Sequence, residues 1–344
     1  MGFVFPILKQ ALMIRRVNDR VFNMVKEDNL MTSVTAIPAS YGDSLHHCVA
    51  CGGKNIYFWR NKHFQYTLGQ TKEAFQIHRC ANCGTGFLNQ PPHIKWLQAI
   101  YQYSGQALTS PINFDEVLAQ EVEFPNCVVD ARRMSYFADV MNKAGNKTAL
   151  DVGSGFGFYT QALRSFGYRT VSINPGKYEN AVFKQLNGDT PIPVMLDKFE
   201  SAESFGIVMM SQVLEHILEP DKAIKKASTL LSQGGVLACA VPNFNSISVK
   251  LLGTRDNACL WVPEHVNYFT SDGLIYLLEH NGFRIIRVEQ ITRIPINYLS
   301  KRLGLKGRLA SLVNAFIKLI KNPFEYLMNI FGIGIYINIY AVKN

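Results

Sequence analysis

Residues 147–166, KTALDVGSGFGFYTQALRSF, read as a short apolar strand, a glycine turn and an amphipathic helix in immediate succession. A second strand, YRTVSIN, follows at once. That order is the opening of a βαβ unit, and it commits the chain to a parallel α/β sheet whose ligands sit beyond the carboxyl ends of the strands. Gly153, Gly155 and Gly157 give a GxGxG turn, and Phe158 stands where a dinucleotide fingerprint needs its third glycine. Asp151 lies ahead of the first glycine, where an acid suits a cationic group and not a pyrophosphate.

The remaining segments continue the pattern. PIPVML reads as a third strand, GIVMM as a fourth and KAIKKASTLL as a helix; a Gly234–Gly235 stop then precedes a buried strand ending at Pro242. Further on, Ser271 or Asp272 is expected to cap a helix with Leu274 to Leu278 as its buried stripe. Asn281–Gly282 ends that helix, FRIIRVEQ is a strand, and GIYINIYAVK is a final strand. The loop WVPEHVNYF, ahead of the capped helix, falls on the ligand side of the sheet, where loops carry substrate contacts.

Four of the seven cysteines form two matched turns, Cys48 and Cys51 in CVACGG and Cys80 and Cys83 in CANCGTG. A glycine directly behind each CxxC can take the positive φ that turns backbone N–H groups toward thiolate sulfurs. Four thiolates in two such turns suit a tetrahedral Zn²⁺, and four protein ligands leave no open position, so the metal is read as structural. The 28 residues between the pairs predict a ribbon with a long hairpin, YFWRNKHFQYTL and KEAFQIHRC being its strands. A redox dithiol needs neither the second copy nor the glycines. His46, His47, His63 and His78 are alternative ligands read as bystanders, and Cys127, Cys239 and Cys259 as small apolar side chains of a reducing compartment.

The net charge of +9 is concentrated near the C-terminus. After residue 290 come Arg293, Lys301, Arg302, Lys306, Arg308, Lys318, Lys321 and Lys343 against the single acid Glu325, mixed with Leu, Ile and Phe. Such a segment suits an anionic surface, either lipid headgroups or a phosphate-bearing substrate, while a packed helix with solvated lysines is the plainer reading. Nucleic acid fits poorly for want of alternating Arg and aromatic residues. No run reaches the roughly eighteen uncharged apolar residues of a spanning helix. The N-terminal MGFVFPILKQALMIRR has its charges after the apolar part and no small-residue cleavage site, so a cytoplasmic protein is expected, with contact at the inner face of the membrane through residues 296–331 as an added reading. The expected organisation is a helix and connector (1–45), a zinc ribbon (46–95), an α/β core (96–295), an apolar basic helical insertion (296–331) and the core's last strand (332–344).

Taken in order, DVGSGFG, VLEHILEP with LLSQGGVLACAVPN, and EHVNYF with LLEHNGF resemble the class I S-adenosylmethionine-dependent methyltransferases over roughly residues 125–344. The resemblance implies a Rossmann-like, mostly parallel sheet with its last strand antiparallel. It also implies that Asp151, Gly153, Ser154 and Gly155 line the methionine and ribose end of S-adenosyl-L-methionine, that Gln212 lies beneath the sulfonium, and that Asp197 reaches the adenine side. Two positions depart from that pattern. Asn174 stands where an acid usually grips the ribose hydroxyls, and Gly206 where an acid usually opens the fourth strand.

With a four-cysteine ribbon in front and EHxxYF behind, the chain looks like the deoxysugar C-methyltransferases. That likeness makes His265 the base, Glu264 its helper and Tyr268 a substrate contact. Against it stands a reading in which the His and the aromatic merely close the loop, and Glu215 and His216 of VLEH are read as pinning the strand–helix turn. Three functions remain open: methylation of a sugar or glycan precursor, including a lipid-linked sugar, at carbon or oxygen; O-methylation of a lipid-soluble phenol as in ubiquinone biosynthesis; and a zinc-ribbon binding module on a scaffold without turnover, for which Asn174 and Gly206 are the evidence.

Overall fold

A computed structural model of the chain describes residues 41–65, 72–103, 146–292, 300 and 304–344. The helix expected ahead of residue 41, Cys127 and residues 293–299 lie outside them. The strands form two sheets. The larger has six: β4 (Thr148–Val152), β5 (Arg169–Ile173), β6 (Phe205–Ser211), β7 (Leu231–Pro242), β9 (Phe283–Ile291) and β10 (Tyr336–Lys343), in the order β5-β4-β6-β7-β10-β9. β5, β4, β6 and β7 run parallel, and β10 is antiparallel to both its neighbours. This is the parallel α/β sheet that the glycine turn predicts, with the antiparallel last strand that the resemblance implies.

Both faces of the sheet's centre are covered, which is why residues 207–210 of β6 and 236–242 of β7 are apolar and do not alternate with polar residues. Ala149, Ile207, Met209, Val236 and Ala238 point to one face and pack with Ala162 and Leu163 of α2 (Phe158–Ser165). Leu150, Val208, Met210, Leu237 and Cys239, each one residue on, point to the other. There they meet Ile224 and Ala227 of α4 (Pro220–Leu230) and Leu274 and Leu278 of α6 (Ser271–His280). The remaining helices are α1 (Ile94–Tyr103), α3 (Lys177–Asn187), α5 (Ile247–Leu252) and α7 (Gly307–Ile330).

Two local expectations are corrected. The third strand is reduced to one parallel bridge, Ile173 to Ile192, because Pro191 and Pro193 on either side have no N–H to give a ladder. The cap of α6 is Thr270, whose Oγ1 accepts from the N–H of Gly273, one residue before Ser271 and two before Asp272, the predicted caps. At Gly206 an added Cβ would lie 2.0 Å from the carbonyl oxygen of Asn146, so the strand start has no room for the acid found elsewhere.

The smaller sheet has the order β1-β2-β3-β8. β1 (Ile56–Gln65) and β2 (Lys72–Cys80) are the long hairpin between the cysteine pairs, β3 is Gly86–Leu88, and β8 is Asn267–Tyr268 from the EHVNYF loop. The ribbon is therefore joined to the core by main-chain pairing: Gly86 lies opposite Tyr268 and Phe87 opposite Asn267. Leu88 N–H also donates to the Val266 carbonyl at 2.9 Å.

Candidate active site and metal centre

Cys48, Cys51, Cys80 and Cys83 come together at the ribbon's tip, their four sulfurs all within 4.8 Å of one another. Cys48 Sγ and Cys83 Sγ are 3.6 Å apart, as are Cys51 Sγ and Cys80 Sγ. Zn–S bonds of about 2.3 Å in a tetrahedron put sulfurs about 3.8 Å apart, so the set fits that ion. Gly52 and Gly84 have φ of +67° and +74°, as the turns require, and the Ala50 N–H points at Cys48 Sγ (3.4 Å). The thiol of Cys48, which donates to Cys83, holds the latter down to about 5, while burial pushes Cys51 up to about 11. His46, His47, His63 and His78 are not part of the cluster.

The knuckles rest against α6. The hydroxyl of Thr270 donates to the Cys83 carbonyl at 2.6 Å while accepting the Gly273 N–H at 3.2 Å. A Cβ on Gly273 would lie 1.9 Å from Thr85 Oγ1, so glycine is what allows this approach. Beyond Thr270 in the N-terminal direction runs the EHVNYF loop itself.

At the sheet's carboxyl edge the N–H groups of Gly153 and Ser154 both donate to the Ile173 carbonyl, at 2.8 and 3.1 Å. Gly155, with φ of +52°, faces open space: a Cβ there would meet nothing within 4 Å. The buried Ser154 Oγ has no hydrogen-bond partner among the described residues. An open glycine beside an unpartnered hydroxyl fits a ligand lying across the turn. Gln212, expected beneath the sulfonium, ends β6 with φ of +56°, a conformation that costs a non-glycine residue on the order of 1 kcal/mol and is typical of ligand sites.

Other predicted contacts are occupied or remote. Asp151 is buried and accepts from the Thr160 hydroxyl at 2.6 Å, tying the turn to α2, and burial pushes its carboxyl up to about 7. Asn174 spends its amide N–H on Asn180 Oδ1 (2.8 Å), and Asn180 donates back to the Asn174 carbonyl (2.9 Å). Asp197 is exposed, with Lys198 Nζ 3.6 Å away.

A chain of contacts carries the glycine turn to the second half of the site. A Cβ on Gly153 would strike Val213, and Val213 leads into Leu214–His216, where the Glu215 carbonyl accepts from the Val266 N–H at 2.9 Å. His265 lies one residue before Val266. Its Nδ1 is 2.8 Å from the Cys259 carbonyl. A carbonyl only accepts, so Nδ1 carries the proton and Nε2 of the neutral ring is left as an acceptor. Burial holds the imidazole down, to about 4.

The imidazole is thus oriented by Cys259. Glu264, expected as its helper, contributes its backbone carbonyl elsewhere, accepting from His216 Nδ1 (3.0 Å) and from the Tyr101 hydroxyl (3.1 Å). Tyr268 is fully buried, its ring 5.7 Å from that of Phe244, so in this structure it packs the ribbon against the core and reaches no accessible surface. Beside His265 the structure places two residues that the sequence reading gave only the role of pinning a turn. The rings of His216 and His265 meet edge to face at 4.7 Å, and a ring nitrogen of each lies within 4.8 Å of a Glu215 carboxylate oxygen. That carboxyl is 1% exposed, neither oxygen has a hydrogen-bond partner among the described residues, and burial pushes it up to about 8. Burial also holds His216 well below the ordinary histidine range.

Fold and site together define a class. Residues 129–288 match the family model described as a methyltransferase domain, and the chain carries a class I S-adenosylmethionine-dependent methyltransferase domain. Among curated proteins it is similar to the ubiquinone biosynthesis O-methyltransferase of Bradyrhizobium diazoefficiens, 24% identical over 162 residues, which are 44% of this chain and 62% of that one. The match to the protein of the same name from Coxiella burnetii is 24% over 199 residues, 51% of this chain and 85% of that one. Among solved structures, a S-adenosylmethionine-dependent methyltransferase from Archaeoglobus fulgidus is 16% identical and covers 66% of this chain and 99% of its own, with a TM-score of 0.42.

Proposed function

We propose that the protein transfers a methyl group from S-adenosyl-L-methionine to a carbon or oxygen of a small sugar-type acceptor, with His265 taking the acceptor's proton. The observation that carries this reading is the fixed tautomer of His265: the Cys259 carbonyl holds Nδ1–H, so Nε2 can only accept. Ser154, Gly155 and Gln212 would hold the cofactor, which supplies an electrophilic methyl group when bound. Asp151 supports the turn through Thr160, and Asn174, its amide N–H and backbone carbonyl engaged with Asn180, offers the ribose at most its side-chain oxygen. A base this buried gains a proton only if the new charge is stabilised. The Glu215 carboxyl beside both imidazoles is the group positioned to do that once ionised.

The four cysteines would hold Zn²⁺ as a structural ion, and its effect on chemistry would be indirect, through the strand that pairs with the EHVNYF loop. This ribbon–loop pairing favours the sugar-type acceptor. The curated relatives favour an alternative of equal standing, a ubiquinone-type phenol, which needs the same base and the same cofactor turn. His265→Ala separates catalysis from binding. Turnover is expected to fall by a factor of about 10² or more with cofactor affinity unchanged by calorimetry. Near-normal turnover would return the loop to a structural role, and absence of cofactor binding in the unaltered protein would remove both acceptor readings in favour of a scaffold without turnover.

A further inference from the structure

We propose that helix α7 is an in-plane membrane anchor, docking the protein on an anionic bilayer surface through its outward apolar face. Leu309, Leu312, Phe316, Leu319, Leu327 and Ile330 are each between 46 and 76% exposed. At 3.6 residues per turn these positions share an arc about 80° wide, a continuous stripe along the helix. The helix is packed on its other side, where Ile317 is only 8% exposed and α7 meets β9. Among the described residues the stripe is therefore an outer face left bare. No helix among the described residues is long and apolar enough to cross a membrane, and α7 is interrupted by Lys318 and Lys321, so it lies along a surface.

Charge selects the occupant. Lys306, Arg308 and Lys318 are exposed, and Glu325 is the one acid in α7. A second copy meeting this face would bring like charges together, whereas anionic headgroups attract them. The chain after α7 also places the anchor. The Ile247 N–H donates to the Ile333 carbonyl (2.9 Å) and Asn243 Nδ2 to the Gly334 carbonyl (2.7 Å). Both donors stand just past the end of β7, so the exit of α7 is docked at the sheet edge that carries the glycine turn. The inference rests on the methyltransferase reading only in what it suggests for the acceptor, which could then come from the bilayer; surface binding stands apart from it.

The test is co-sedimentation of the full chain with vesicles of phosphatidylcholine alone or with about 30% phosphatidylglycerol. Binding is expected to the anionic vesicles, weakening as salt rises from about 0.1 to 0.5 M. Leu312→Glu with Phe316→Glu should weaken it by at least about tenfold, with cofactor binding by calorimetry unchanged. Arg308→Gln with Lys318→Gln should flatten the salt dependence and serves as the second variant if the first does not fold. No binding to anionic vesicles, or equal and salt-insensitive binding to both kinds, overturns the proposal. So does a dimer by light scattering that the Leu312/Phe316 variant dissociates. Loss of cofactor binding with vesicle binding intact would instead count against the methyltransferase reading alone.

Discussion

Thr270→Val isolates the joint between the metal knuckle and the core. The substitution keeps shape and β-branching and removes one hydroxyl, which caps α6 by accepting from Gly273 and donates to the Cys83 carbonyl at 2.6 Å. Losing a cap costs about 1 kcal/mol, and leaving a buried carbonyl unpartnered costs about 1–3 kcal/mol. Thr270 is 5% exposed, so water offers little relief, and the expected loss is about 2–4 kcal/mol. Urea unfolding followed by tryptophan fluorescence measures it, with Thr270→Ser as a control that keeps both bonds. A second readout is zinc release to a chromogenic chelator, which should be faster in the valine variant because Cys83 loses its tether to α6. A change below about 0.5 kcal/mol, with zinc release unaltered, would refute the argument that ribbon and core form one cooperative unit.

Two further outcomes follow from the same geometry. Cys83→Ser should lower zinc content by elemental analysis and reduce turnover more than cofactor affinity, since the ion would act on the site through the pairing of β3 with β8 and the bond from Thr270 to Cys83; retained zinc would exclude Cys83 as a ligand. Asp151 gives a pH dependence whose sign can be worked out. Its folded carboxyl titrates at about 7 against 3.8 for the ordinary group, so between those values the native state holds a proton that the unfolded chain has released, and stability falls as pH rises across that window. Asp151→Asn should flatten thermal stability between about pH 4 and 7, and an unchanged slope would show that this carboxyl is already ionised in the fold.

The parallel sheet and the cysteine cluster were legible because each rests on local chemistry, whereas the antiparallel sense of the last strand came only from the family resemblance. Consecutive apolar strands, a glycine turn and paired CxxC–Gly turns carry their meaning in a few adjacent residues. PIPVML misled because its apolar pattern suits a strand while Pro191 and Pro193 withhold the donors a strand needs. The predicted cap of α6 was off by one or two residues because Thr270, Ser271 and Asp272 can all cap, and only the ribbon's Cys83 carbonyl, distant in sequence, selects the threonine.

The imidazole site shows where a single sequence runs out. EHVNYF marks His265 but suggests that its neighbour Glu264 orients it, since adjacency is all a sequence offers. In the fold His265 Nδ1 is held by the carbonyl of Cys259, six positions earlier, whose role depends on its backbone and leaves no trace in its residue type. His216 and Tyr101 are held together by the Glu264 carbonyl, another backbone contact. VLEH had a sufficient local explanation as a turn, yet the turn is also what carries Glu215 and His216 toward His265. On the proposed function a pair that pins a turn and a pair that lines a site are the same residues, and the Glu215 carboxyl, without a hydrogen-bond partner among the described residues, is the feature that a purely structural pin does not require.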